Sequence, residues 1–381
     1  MPTTASSIKI RPQDLGDPAF KKAHGLQYAY ATGAMANGIA SCEIVEEMAR
    51  AGMLGFFGAA GLPAAAVAAA VERLQKSLGD LPHGFNLIHS PSEPKHEEAI
   101  ADLYVRKGVR LVEASAYLDL TPAIVRYRYS GDNRLIAKVS RVEVAEKFMK
   151  PAPEGILKEL VASGQLTAEQ AGRKIVMADD ITAEADSGGH TDNRPLVTLL
   201  PTIIALRDRL KAPVRVGAAG GIAAPAAAAA AYMMGAAYVL TGSVNQACVE
   251  SGSSDLVRQM LAEAAQADTA MAPAADMFEM GVKVQILKRG TMFAMRAQKL
   301  YDLYKTYDSL DAIPPPQRAA LERDLFRLPL AQVWQQTSEF WKGRDLREAE
   351  KARVDPKHKM ALCFRSYLGQ ASRWANAGVP D

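Results

Sequence analysis

The stretch 214–243, VRVGAAGGIAAPAAAAAAYMMGAAYVLTGS, carries two glycine-bearing turns separated by one helix length of alanine-rich sequence. Each turn follows an apolar run, 214–216 and then 238–240, and both runs read as buried parallel strands. At Ala219, Gly220 and Gly221, and again at Gly242 and Ser243, the side chains are small or absent. Backbone N–H groups there can approach a ligand, and each turn leads toward a helix whose first amides lack intrahelical partners. The predicted chemistry is capture of a dianionic phosphate. In a (β/α)8 barrel such a site recurs in the loops after strands seven and eight, which is where the earlier strand–helix units place these two turns.

The remaining elements fit that count. A first strand ends near Tyr30 and turns through 31–35, a helix covers 41–51, a second strand 53–57, and a helix starting at Pro63 runs to 78. Further strands are expected at 85–88, 110–113, 135–139 and 175–178, with helical sequence between them. Alternation of this kind implies an α/β protein with right-handed crossovers, and eight units favour closure into a TIM barrel over residues 27–265, preceded by an extension at 1–26. The segment 150–172 is too long for a plain connection and predicts two short added helices.

Beyond about residue 266 the alternation stops. Met271, Met277, Met280, Met292 and Met295 mark a helical, basic subdomain over 266–381, broken by Pro314, Pro315 and Pro316 and resumed by helices at 319–325 and 331–341. Its methionines suit either a cap that fills irregular gaps or an apolar lid for a flexible acyl chain.

The chain has 381 residues and 49% hydrophobic content, enough for a barrel of roughly 250 residues and a further subdomain. A net charge of +3 argues against general nucleic-acid binding and leaves an acidic protein partner only a local patch. Cys42, Cys248 and Cys363 are far apart without metal-ligand spacing, which predicts unpaired thiols in a reducing cytoplasm and no metal site. The amino-terminal residues contain no apolar signal core and no uncharged run spans a bilayer, so no membrane association is expected.

Several motifs together carry a resemblance. GAMANGIAS at 33–41, GFN at 84–86, IAKVSR at 136–141, EADSGGHTDNRP at 184–195, VGAAGGI at 216–222 and TGS at 241–243 resemble the nitronate monooxygenase-like superfamily of FMN barrels. Within it, ADSGGHTDNRP and the region MAPAADMFEMGVKVQILKRGTMFAMRA are similar to the trans-acting enoyl reductases of polyunsaturated fatty-acid and polyketide synthases. The similarity runs over nearly the whole chain from about residue 20. It implies FMN, NADPH, an enoyl thioester on an acyl carrier protein, and a synthase served in trans; a homo-oligomer is compatible with it.

Under that resemblance Gly33, Ala34 and Met35 bring backbone close to the flavin ring. Asn86 offers donor and acceptor to the ring's amide-like edge, the alternative being a turn residue. Lys138 places an ammonium where negative charge gathers on reduction, the alternative being a surface ion pair. Gly188 and Gly189 let the loop after strand six bend toward the cofactor, and His190 is the candidate catalytic residue. A histidine in the corresponding Gly-Gly-His motif of nitronate monooxygenases acts as a base, which suggests proton transfer or substrate orientation here; a loop-fixing His190 with water as proton source is the alternative. Glu113 reads more readily as a paired supporting carboxylate than as a catalyst. Asp186, Thr191, Asp192, Asn193 and Arg194 form a polar rim or hold the loop's shape. Competing activities are a nitronate-type FMN oxidase and a non-catalytic flavoprotein within a synthase.

Overall fold

In the computed structural model, which describes residues 10–91, 93–189 and 191–379, eight short strands close into a barrel in sequence order. They are β1 (Tyr30–Thr32), β2 (Leu54–Phe57), β3 (His83–Ile88), β4 (Leu111–Ser115), β5 (Arg134–Val139), β6 (Asp180–Glu184), β7 (Arg215–Ala219) and β8 (Val239–Thr241). All neighbours are parallel, and β8 returns to β1 with Thr241 opposite Thr32. The carboxyl ends of all eight strands therefore share one face, the face on which barrels build sites.

The helices are α1 (Pro18–His24), α2 (Cys42–Arg50), α3 (Ala64–Leu78), α4 (Pro94–Arg106), α5 (Pro122–Tyr129), α6 (Val142–Phe148), α7 (Glu154–Ala162), α8 (Ala168–Ala171), α9 (Leu196–Leu210) and α10 (Pro225–Met233). Local chemistry fixes several starts. The hydroxyls of Ser41 and Thr121 accept the N–H groups of Ile44 and Ile124, and Thr167 and Gln170 form a reciprocal capping box before α8. α7 and α8 are the added helices expected at 150–172.

Two strands depart from their sequence assignments: β1 begins at Tyr30, where the sequence predicts its end, and β6 lies further along the chain than expected. The apolar run 175–178 is not β6: Met177 and Ala178 are buried in the approach to it, their N–H groups donating to the carbonyls of Lys150 and Phe148. The strand lies at Asp180–Glu184, where Ile181 and Ala183 pack outward while Asp180, Thr182 and Glu184 meet polar partners inside the barrel. A strand with a polar barrel face does not read as a continuous apolar run.

α1 closes the amino end of the barrel. Phe20 is fully buried and stacks on Tyr238, with ring centroids 4.1 Å apart. His24 Nε2 lies 2.8 Å from Asp180 Oδ2, and Arg215 donates to both Asp180 oxygens at 2.6 and 2.9 Å. Burying Phe20 contributes about 2 kcal/mol, and the ion pair fixes the register of β6 and β7 beneath it.

The chain divides into two compact units, one comprising the residues up to 187 together with 191–252, the other 188–189 together with the residues from 253. The second unit contains α11 (Asp255–Ala262), an antiparallel hairpin of β9 (Thr269–Pro273) and β10 (Lys283–Leu287), α12 (Phe293–Thr306), α13 (Pro315–Leu321), α14 (Leu330–Arg344), α15 (Leu346–Val354) and α16 (Pro356–Ala377). α16 supplies Met360, Cys363 and Phe364 to a core shared with Phe278, Leu300 and Val333. The helical reading of 271–287 fails here because VKVQIL alternates: Val284 and Ile286 share the face of the buried Ala272, while Lys283 and Gln285 lie on the other. Gly189 makes an isolated antiparallel bridge to Gln285. The proline run separates α12 from α13 as expected, but Pro315 and Pro316 also form the first turn of α13, so that helix starts earlier than 319, and 322–326 continues as a π turn. Among the described residues no helix is long and apolar enough to cross a membrane.

Candidate active site

Three charged side chains meet inside the barrel at the ends of β4, β5 and β6. Lys138 Nζ lies 3.1 Å from Glu184 Oε1 and 3.8 Å from Glu113 Oε2, and its side chain is only 11% exposed. Lys138 is thus an interior cation, not a surface ion pair. Burial alone would pull its proton off, but Glu113 and Glu184 outweigh that and hold the ammonium above its ordinary range. Glu113 is fully buried, and burial pushes its carboxyl up to about 7 against the pull of Lys138 and the Ala34 N–H.

The loop after β1 leans on this cluster. Ala34 N–H donates to Glu113 Oε2 at 3.0 Å, and Gly33 N–H donates to the Thr241 carbonyl. A Cβ at Gly33 would lie 2.4 Å from Leu240 Cδ2, so a side chain there requires Leu240 to shift. Met35 is buried with its carbonyl pressed on Gly58, where a Cβ would come within 1.7 Å of it. Gly33, Ala34 and Met35 thus form a fixed wall. Asn86, on β3, is also buried; its amide donates to the Glu113 carbonyl at 3.1 Å and to Ser115 Oγ at 2.9 Å.

On the opposite side of the barrel, β7 and β8 are paired, so the turns at Ala219–Gly221 and Gly242–Ser243 are neighbours. Among the described residues the N–H groups of Gly220, Gly221, Gly242 and Ser243 donate to no backbone acceptor. Gly220 and Gly221 have φ of +92° and +68°; a Cβ at Gly220 would meet the Ala185 carbonyl at 2.5 Å, whereas at Gly221 and Gly242 it would enter open space. Ala219 itself is buried, its carbonyl accepting Ala185 N–H. The helix after the first turn begins only at Pro225, while a 3-10 turn starts directly at Ser243, so the first cradle is built mainly from loop amides. Four adjacent donors without backbone acceptors, with open space beside Gly221 and Gly242, fit a phosphate dianion.

The loop after β6 is held by its own polar residues. Asn193, at φ +53°, donates to Asp186 Oδ1 at 2.7 Å, and Asp186 N–H donates to the Arg194 carbonyl. Asp192 accepts from Arg141 at 2.7 and 2.8 Å and from Ser140 at 2.8 Å, and Arg141 above all holds its carboxyl below the usual range. Thr191 Oγ1 accepts Asn193 N–H at 3.3 Å. Gly188 and Gly189 belong to the second unit, Gly189 with φ +102°. His190 lies outside the described residues.

Two features escaped the sequence reading. Glu184 opens a motif chosen for its glycines and histidine, and only the strand period marks its side chain as facing Lys138. His89 follows β3 and stacks on Tyr117, with centroids 5.2 Å apart; its Nδ1 is buried without a partner among the described residues. Tyr117 in turn donates to the buried Glu97 at 3.0 Å. An imidazole directly after a strand end was the available signal.

Comparison with known proteins bears on this geometry. Residues 18–300 match the family model for nitronate monooxygenase, and residues 307–381 match that for the inserted helical domain of acyl-carrier-protein S-malonyltransferase. The chain is 50% identical to one of the polyunsaturated fatty acid synthase polypeptides of Thraustochytrium sp., over 97% of its own length and 26% of the relative's. It is 44% identical to the polyketide biosynthesis protein PksE of Bacillus subtilis over 97% of its length and 50% of the relative's. It therefore spans half or less of these curated relatives. The crystal structure of the enoyl reductase domain of MlnA, from the macrolactin biosynthesis cluster of Bacillus amyloliquefaciens, superposes with a TM-score of 0.91 at 39% identity, covering 97% of this chain and 88% of that one.

Proposed function

The chain belongs to the nitronate monooxygenase family of FMN-dependent oxidoreductases, in the branch that includes the MlnA enoyl reductase domain, and from that premise we propose that it reduces enoyl thioesters. The substrate is the α,β-double bond of an acyl chain carried by an acyl carrier protein, NADPH is the reductant, and a polyketide or polyunsaturated fatty-acid synthase is the partner. The relatives' names and the match of 307–381 to a domain of carrier-protein acyltransferases support the carrier as substrate.

The observation that carries the reading is the placement, on one face of the barrel, of the two turns with unpaired amides and the buried Lys138. Gly220, Gly221, Gly242 and Ser243 hold the FMN phosphate, and the Gly33–Met35 wall and Asn86 bound the ring. When bound, FMN supplies hydride transfer from NADPH to the β-carbon of the enoyl group. Lys138 offsets the negative charge that reduction places in the pocket. His190, on the Gly-Gly-His resemblance, delivers the proton to the α-carbon. NADPH meets the flavin from the open face of the barrel, so it needs no separate dinucleotide-binding fold.

Turnover assays separate this activity from its competitors. A crotonyl thioester of pantetheine or carrier protein should drive NADPH oxidation without oxygen. Oxygen uptake with a free nitronate and none of this turnover would identify an oxidase, and neither activity would identify a non-catalytic flavoprotein.

A further inference from the structure

Glu113 has one carboxyl oxygen with nothing to bond. Oε2 accepts the Ala34 N–H at 3.0 Å, while Oε1 is buried without a hydrogen-bond partner among the described residues. Lys138 is committed elsewhere, 3.1 Å from Glu184 but 3.8 Å from Glu113. The ionisable groups that face Glu113 are Lys138 on β5, Glu184 on β6 and Tyr238 before β8; β1 and β3 present the Gly33–Ala34 turn and Asn86. One ammonium cannot neutralise two carboxylates. With both ionised the cluster carries one net negative charge in a water-poor interior, whereas a proton on Glu113 makes it neutral.

We propose that Glu113 is a proton-holding positioning residue: its carboxyl takes up one proton from solvent when negative charge enters the Lys138 pocket and returns it when that charge leaves. The uptake converts carboxylate and proton to carboxylic acid and breaks no other bond. It releases Lys138 from a second anion, so the ammonium can face the incoming charge. It also changes the acceptor of the Ala34 N–H, which links the charge of the pocket to the β1 turn. Burial favours the protonated form up to about pH 7, against the opposing pull of Lys138 and the Ala34 amide, so the exchange falls in the physiological range. The proposal rests on the FMN reading only for the source of the charge; the proton-holding carboxyl does not depend on it.

The test has two arms. In the first, infrared spectra of the chain are recorded against pH without added flavin. A protonated carboxyl band should vanish as pH rises through about 7 in the wild type, be missing in Glu113→Gln, and persist to higher pH in Lys138→Met, where the ionised form has lost its cation. A band that survives in Glu113→Gln, or wild-type titration confined to the ordinary carboxylate range, overturns the proposal. Should Glu113→Gln fail to fold, the direction of the Lys138→Met shift decides. In the second arm, the midpoint potential of bound FMN should change its pH slope near the same pH in the wild type and lose that change in Glu113→Gln. An identical slope in both overturns the coupling, whereas failure to bind FMN at all refutes the functional proposal and leaves the infrared result standing.

Discussion

Lys138 Nζ lies 3.1 Å from Glu184 Oε1, although the residue directly opposite Lys138 on β6 is Thr182. Both charged side chains reach forward from their strands into the barrel mouth. A buried ion pair is close to neutral for stability, because desolvation consumes most of the Coulomb gain, and apolar packing would fill the space at lower cost. A charged cluster retained beside a glycine-walled loop therefore points to chemistry in the pocket rather than to stability.

Gly221→Leu should weaken FMN binding by about tenfold or more, equivalent to about 1.4 kcal/mol, with a modest loss of stability from its φ of +68°. Its Cβ enters open space at the phosphate turn, whereas Gly220→Leu strikes the Ala185 carbonyl and should lower the melting temperature as well. Flavin titration and thermal unfolding of both variants check this. Unaltered FMN affinity in folded Gly221→Leu would remove the phosphate from that turn.

His190→Ala should leave FMN bound and its reduction by NADPH nearly intact while slowing enoyl turnover roughly a hundredfold or more, the scale of a lost general acid. Rapid-mixing measurement of the two half-reactions separates the effects. An unchanged rate of flavin reoxidation by the thioester would take the proton from another source, and loss of flavin would make His190 a structural residue.

The second unit carries a basic surface that, under the proposed function, suits an acidic carrier. Between Glu279 and Asp302 the sequence has five cations and no carboxylate. Lys283, Lys288 and Lys299 are exposed or half-buried there with Met292 and Met295, while Arg289 bonds the Glu263 carbonyl and Arg296 the Tyr367 hydroxyl. Reversing the three lysines to glutamate should raise KM for a carrier-bound enoyl substrate severalfold and flatten its salt dependence, with a pantetheine thioester little affected. Equal losses for both substrates would place the damage in the fold or the acyl pocket.

Glu113 also predicts a pH-dependent stability. Its folded pKa is raised, so between the ordinary carboxylate range and about 7 the native state holds a proton that the unfolded chain has released. Stability from this group is therefore present at acid pH and lost as pH rises to about 7. Urea midpoints measured from about pH 4.5 to about 7.5 should fall more in the wild type than in Glu113→Gln. Parallel curves would contradict the raised value.

Much of this architecture is legible in the sequence because its signals are local. The two glycine turns follow apolar strands, and Ser41, Pro63 and Thr167 announce their helices. The misses come from non-local partners. β6 hides because its inward positions bond Arg215, Tyr238 and Lys138, none of them near in sequence. Glu113 reads as a supporting carboxylate until Ala34, from another strand–loop unit, is seen to bond it. The β9–β10 hairpin is obscured by methionines, which suit helices as well as irregular cores, and its alternation becomes decisive only beside the buried Ala272 and Phe278.

The most direct test of the central claim is an anaerobic absorbance experiment on the purified, flavin-loaded protein. NADPH should bleach the oxidised flavin band, and an enoyl thioester of carrier protein or pantetheine should restore it with formation of one saturated thioester per flavin. Flavin that is reduced by NADPH but restored only by oxygen, with no saturated product, would contradict the enoyl reductase account.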